Sequence, residues 1–246
     1  MIKIDTMHNV LDIDLDFFLE NICPLAEKGN RPELLGHEPW AEQRVRDFLE
    51  TNCGLSKTEP LPGRIFETHD GALLYWQELM EKGKLQPPFA VTHIDAHSDL
   101  AIGYPGPGFV LNTVISTKLD LRCDTDRYYR MHELDEANYL LFAIGMRYVA
   151  ELINVRNPHS VEDIPREIIF TDDNGKRCGI QLSSFASKLL ESINGKEPYV
   201  PYTEFKDYTK YMAKSKFDFV SLAMSPRYAP KEADALAEII REYITE

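Results

Sequence analysis

His93, Asp95, His97 and Asp99 stand at alternate positions of Phe89-Ala-Val-Thr-His-Ile-Asp-Ala-His-Ser-Asp-Leu100. Side chains of an extended strand alternate between its two faces. That spacing predicts two imidazoles and two carboxylates on one face, with Ala90, Thr92, Ile94 and Ala96 on the other. Four such groups side by side repel and lose solvation unless something positive sits among them. The chemistry they suit is divalent-metal binding. A plainer reading makes them an ordinary solvated strand end that caps the next helix. A second run, Val10-Leu-Asp-Ile-Asp-Leu-Asp-Phe-Phe18, alternates in the same way. It sets Asp12, Asp14 and Asp16 against Leu11, Ile13, Leu15 and Phe17. A third stretch, Ile65 to Asp70, ends in the polar pair His69-Asp70.

Each of these runs reads as a strand, and ligands gather at the carboxyl ends of strands in open α/β sheets. Trp40 to Leu49 has the spacing of an amphipathic helix, and Gly54 to Gly63 reads as a turn-rich connection. A helix over Ala72 to Glu81 separates the third stretch from the strand at Phe89, implying a right-handed parallel crossover. Gly103-Tyr-Pro-Gly-Pro-Gly108 lacks the lysine of a phosphate-binding loop and reads as an irregular rim over the site. Tyr139 to Met146 is expected to be a buried strand. Glu167 to Phe170 and Arg177 to Leu182 flank the turn Asp172-Asp-Asn-Gly175 as a hairpin. Ser184 to Ile193 reads as a short helix, Phe217 to Met224 as the last strand, and the stretch from Lys231 as the closing helix. Strands and helices alternate almost throughout. The expected fold is a single three-layer α/β domain over residues 1–246, a mostly parallel sheet with helices on both faces.

The chain has 246 residues, 43% of them hydrophobic, and a net charge of −13. That charge argues against nucleic acid and anionic membrane as partners and suits a small substrate, cationic if charged. Cys23, Cys53, Cys123 and Cys178 are scattered, as reduced thiols are. With a polar N-terminal stretch and no run long enough to cross a bilayer, the expected location is the cytoplasm.

Asp95-Ala-His97-Ser-Asp99 resembles the D-A-H-x-D motif of the arginase and deacetylase superfamily, the ureohydrolase fold. His69 precedes it by about the family's interval for the first histidine ligand. Ala143-Ile-Gly-Met-Arg147 is similar to the family's I-G-x-R strand end, and Asp12-Ile-Asp14-Leu-Asp16 to its second acidic motif. The combination of D-L-D-F-F, D-A-H-S-D and the late Ser225-Pro-Arg-Tyr-Ala-Pro230 resembles one arginase-like branch in particular. In ureohydrolases the second acidic motif lies downstream of D-A-H-x-D; here it lies upstream. The resemblance therefore implies a permuted strand order, with the first strand occupying the family's later position.

Two divalent ions about 3.5–4 Å apart need a bridging carboxylate, further carboxylates and an open position for water. This ligand set suits Mn²⁺, with Fe²⁺, Co²⁺ or Zn²⁺ as alternatives. On this reading Asp95 and Asp14 bridge, His69 and Asp99 hold one ion, and His97 and Asp16 the other. Asp12 and the more deeply placed His93 would orient ligands rather than bind. Asp99 would take a proton from the metal-bridging water, the expected nucleophile. Asn112 falls where the family keeps a proton-moving loop histidine; His132 is the candidate substitute. Arg147 would hold a substrate carboxylate, and Arg227 and Tyr228 would line the pocket.

The expected activity is metal-dependent hydrolysis of a non-peptide carbon–nitrogen bond. Two alternatives remain at this stage. Asp14-Leu-Asp16 with Asp172-Asp173 would suit a haloacid dehalogenase-like phosphatase, although Phe18 and the D-A-H-S-D cluster do not fit it. A non-catalytic metal-binding protein is the other.

Overall fold

The computed structural model describes residues 7–100 and 106–246. The N-terminal stretch through residue 6 and the first half of the glycine-rich rim, residues 103–105, lie outside the described residues. The fold is α/β. Its first half runs β1 (Asn9–Asp14), α1 (Glu42–Asp47), β2 (Leu61–Phe66), α2 (Gly71–Glu81) and β3 (Phe89–Asp95). Next come α3 (Thr125–Arg130), α4 (Tyr139–Gly145), β4 (Val149–Arg156), β5 (Ile169–Thr171) and β6 (Arg177–Ile180). The chain ends with α5 (Phe185–Leu189), α6 (Glu191–Asn194), β7 (Val200–Phe205), β8 (Phe219–Ala223), α7 (Asp234–Arg241) and β9 (Ile244–Thr245).

Among the described residues, nine strands form one sheet in the order β5-β6-β7-β4-β3-β1-β8-β2-β9. The pairs from β7 through β9 are parallel; β5 and β6 form the antiparallel hairpin at one edge. β1 lies beside β3, with Asp12 opposite His93.

The alternation along the strands sends side chains into two cores. Val10, Phe89 and Val91 join α2 and α4 in one. Leu11, Ile13 and Ile94 join α1 and α7 in the other. The chain leaves β1 into the second core and leaves β3 into the first. Adjacent strands whose continuations part to opposite faces open a crevice at their carboxyl ends, the usual ligand site of such sheets.

Several elements differ from their sequence reading. Residues 139–145 form a helix, not a strand, with all seven residues buried. A wholly apolar run is compatible with either, and a helix apolar all round is stable only when enclosed. The strand follows it instead, as β4. Pro62 and Gly63, read as a connection, belong to β2. A Cβ at Gly63 would lie 2.5 Å from the Val220 carbonyl oxygen, so glycine lets β2 approach β8. The helix read over Ser184 to Ile193 is two short helices, the first begun by a reciprocal Ser184–Ser187 capping box.

Candidate metal centre

β1 stops at Asp14, whose Oδ1 accepts the Asp16 N–H at 3.1 Å. The chain tightens there into a 3-10 turn over Leu15–Phe18, which carries Asp16 inward instead of further along a strand. β3 stops at Asp95 in the same way: its Oδ1 accepts the His97 N–H at 2.6 Å. Ser98 N–H then donates to Asp163 at 2.7 Å, and Asp99 takes a left-handed φ of 51°. In an extended strand, Asp95 and Asp99 would lie about 13 Å apart. Coiling instead brings both to one atom. His69 Nδ1 lies 3.0 Å from Asp95 Oδ2, 2.9 Å from Asp99 Oδ2 and 3.2 Å from Asp14 Oδ2. His69 itself sits in the short connection between β2 and α2, where its carbonyl accepts from the Ala72 N–H.

Asp16 Oδ2 lies 2.9 Å from His97 Nδ1, with Asp95 Oδ1 at 3.6 Å from the same nitrogen. His93 points Nε2 at Asp95 Oδ2, 3.3 Å away, and Nδ1 at Asp12 Oδ2, 3.1 Å away. Asp12 Oδ1 faces His69 Nε2 at 3.4 Å. Five carboxylates and three imidazoles thus fall into four overlapping groups, each with ligand atoms within 4.8 Å of one another. All are buried except His97, whose side chain keeps 28% of its exposure.

Proximity here is not hydrogen bonding. Asp12 Oδ1, both nitrogens of His69, His93 Nε2, Asp95 Oδ2 and Asp99 Oδ2 are buried without a hydrogen-bond partner. Buried polar atoms are costly when unpaired, and one imidazole N–H cannot satisfy three carboxylates. A cation beside His69 Nδ1 would satisfy that nitrogen together with Asp95 Oδ2 and Asp99 Oδ2, leaving His69 Nε2 to face Asp12 Oδ1. The donor set, carboxylate oxygens with a few imidazoles, is that of hard to borderline divalent metals, so these groups could hold metal ions.

The titration of the metal-free cluster agrees. Burial pulls the His93 pKa down, but the hydrogen bond to Asp12 and the nearby Asp95 carboxylate outweigh it and raise it to about 10. For His69, burial again opposes, while the charge of Asp12 and the close carboxylates of Asp14 and Asp95 lift it well above the usual range. Burial likewise opposes in His97, and Asp16 prevails to raise it well above the usual range. Burial pushes Asp99 up to about 7, with Asp95 adding to it. Burial, then the charges of Asp14 and Asp95, hold Asp16 well above the carboxylate range. The cluster thus retains protons where a cation would otherwise sit.

Two residues outside the sequence-predicted set touch it, and a third stands beside it in the sheet. Tyr139 donates its hydroxyl to Asp12 Oδ2, and its ring lies 4.9 Å from that of His69. Ser225 donates to Asp14 Oδ2. Asn154, buried and opposite His93 in the sheet, has both amide atoms unpartnered. Ser225 opens the Ser-Pro-Arg-Tyr-Ala-Pro stretch after the last central strand, which was its available signal. Tyr139 was hidden by the strand assignment, and nothing in the local pattern marks Asn154. Tyr228 packs its ring 4.8 Å from that of His97 and so borders the cluster as expected. Arg227 bonds Glu136 and the Ala26 carbonyl.

The structure leaves three predicted residues outside. Arg147 precedes β4 at the amino end of the sheet, the opposite edge from the cluster. Its guanidinium is committed to Glu197 and to the carbonyls of Asn194 and Gly195. Asn112 is exposed on a helical turn and bonds the Gly108 carbonyl. His132 is exposed where α3 ends. Asp172 organises the exposed β5–β6 turn by accepting from Asn174 and Lys176 N–H, and Asp173 is exposed in that same turn. No protein-family model matches this chain, and no curated protein matches it. Among the described residues, no helix is long and apolar enough to cross a membrane.

Proposed function

We propose that this chain is a metal-dependent hydrolase of arginase-like type. Its substrate would be small, with an amide, amidine or guanidine carbon–nitrogen bond outside a peptide. The observation that carries the reading is the placement of Asp95. Its Oδ2 faces His69 and His93, and its Oδ1 faces His97, so one carboxylate spans two ligand groups. Two cations against five carboxylates leave one net negative charge, close to balance for a buried site.

His69, Asp99 and Asp14 would hold one ion, His97 and Asp16 the other, with Asp95 between them; Mn²⁺ fits the oxygen-rich set best. When bound, such a pair of cations acidifies water and stabilises oxyanion charge. The protein does the rest. Ser225 fixes Asp14, while Ala96 N–H donates to Asp16 Oδ1 at 3.3 Å and helps hold that carboxylate. Asp99 is the carboxylate placed to accept a proton. Partly exposed His97, beside Tyr228, marks the side from which substrate enters. Asn112 and His132 both lie outside the cluster, so neither supplies a proton to a leaving nitrogen, and arginine and agmatine should be poor substrates. The four free cysteines suit a reducing, cytoplasmic setting.

The test begins with metal content of protein purified without chelator. About two ions per chain are expected, and Asp95→Asn should lose both. With Mn²⁺ added, deacetylation of acetylated polyamines should exceed urea release from arginine or agmatine. Absence of bound metal would refute the proposal. A phosphatase activity that survives Asp95→Asn would replace it.

A further inference from the structure

His93 was expected to lie behind the ligands; its geometry says otherwise. Its ring is fully buried, and the two nitrogens have different surroundings. Nδ1 is hydrogen-bonded to Asp12 Oδ2 at 3.1 Å. Nε2 has no partner and faces Asp95 Oδ2 at 3.3 Å, and His93, Asp95 and Asp99 have ligand atoms within 4.8 Å of one another. An imidazole that gives its Nδ1 proton to a carboxylate presents a lone pair at Nε2, the arrangement found behind metal-ligating histidines.

His69 shows the mirror arrangement. Its Nε2 faces Asp12 Oδ1, and its Nδ1 faces Asp14, Asp95 and Asp99. The two rings stack 5.1 Å apart, 23° from parallel. Asp12 therefore stands behind both, one oxygen to each ring. The Tyr139 hydroxyl donates to the oxygen that serves His93 and so holds the carboxylate in place.

We propose that His93 is a metal ligand through Nε2, and that Asp12, held by Tyr139, is one clamp orienting both His69 and His93. This rests on the metal-dependent reading above and adds a third imidazole to its ligand set. The ion beside His69 then sees two nitrogens, the other only His97. Imidazole favours Co²⁺, Fe²⁺ and Zn²⁺ over Mn²⁺ more than carboxylate does. The two positions should accordingly differ in preference, the His69–His93 position taking Co²⁺ more tightly.

The probe is Co²⁺ alone, titrated into metal-stripped full-length protein and followed by calorimetry and by its visible absorption bands. Wild type should bind two ions with distinct affinities. His93→Asn should weaken one of them by at least about 10-fold and alter its bands, leaving the other unchanged. Tyr139→Phe, which removes one hydroxyl and keeps the packing ring, should weaken the same ion by about 10-fold with the bands retained. It also serves if His93→Asn fails to fold. A crystal structure of the Co²⁺-loaded protein should place His93 Nε2 about 2.0–2.2 Å from an ion. Unchanged affinities and bands in both variants would overturn the proposal while sparing the metal-dependent reading. Failure of wild type to bind Co²⁺ would overturn both.

Discussion

Asp95 does more than any other single residue: it ends β3, turns the chain through the His97 N–H, and faces three histidines. Without a cation those histidines keep protons, because neighbouring carboxylates raise them despite burial, His93 to about 10. A protonated imidazole nitrogen cannot ligate, so each ion must displace protons. The sign follows: metal binding should release about two or more protons per chain near neutrality and weaken as the pH falls. Calorimetry in buffers of different ionisation enthalpy measures this; a proton release of zero would contradict it. Residue types at this scale were legible from spacing alone, since Asp12, Asp14, His93 and Asp95 do share a strand face. Asp16, His97 and Asp99 reach the same place for another reason. They lie past the strand ends, on turns that Asp14 and Asp95 themselves cap.

Helix α4 carries a second lesson, at the scale of elements. Tyr139 to Gly145 lacks polar punctuation, and a short apolar run has no readable period. Strand β4 was missed because buried Asn154 and Arg156 interrupt its apolar pattern, and β7 because Pro201 normally argues against a strand. Moving the strand from 139–146 to 149–156 also moved Arg147 to the wrong edge of the sheet for catalysis. Its neighbour Arg122 is fully buried, bonded to Glu197 and to the carbonyls of Thr117, Gly145 and Ile115. Removing one partner of a buried ion pair strands the other. Arg122→Ala should therefore cost about 3–5 kcal/mol by urea denaturation. Arg147→Ala, at the more exposed end of the same network, should cost less and leave metal content unchanged. Loss of metal in Arg147→Ala would reinstate it near the site.

For the whole molecule, the alternation of strands and helices pointed to a mostly parallel sheet, while strand order depended on contacts too distant for any local pattern to encode. Ligand candidates come from β1, β3 and the β2–α2 connection, and Ser225 follows β8, so the unfolded chain offers no preformed site. Ions that bind only the folded state stabilise it by mass action. At a hundred times the dissociation constant each ion contributes about 2.7 kcal/mol, so two shift the midpoint by about 10–20 °C for a chain of this size. Melting curves with chelator and with Mn²⁺ should differ by that much; coincident curves would mean that no ion distinguishes folded from unfolded protein. The position of β1 between β3 and β8 has a consequence in time as well as in space. On a ribosome adding about 5–20 residues per second, β8 emerges roughly 10–40 s after β1. Throughout that interval at least one edge of β1 is open, and Ser225 is not yet there to hold Asp14. The acidic side chains of Asp12 and Asp14 then act as gatekeepers, their charge discouraging the nascent strand from pairing with a neighbouring chain.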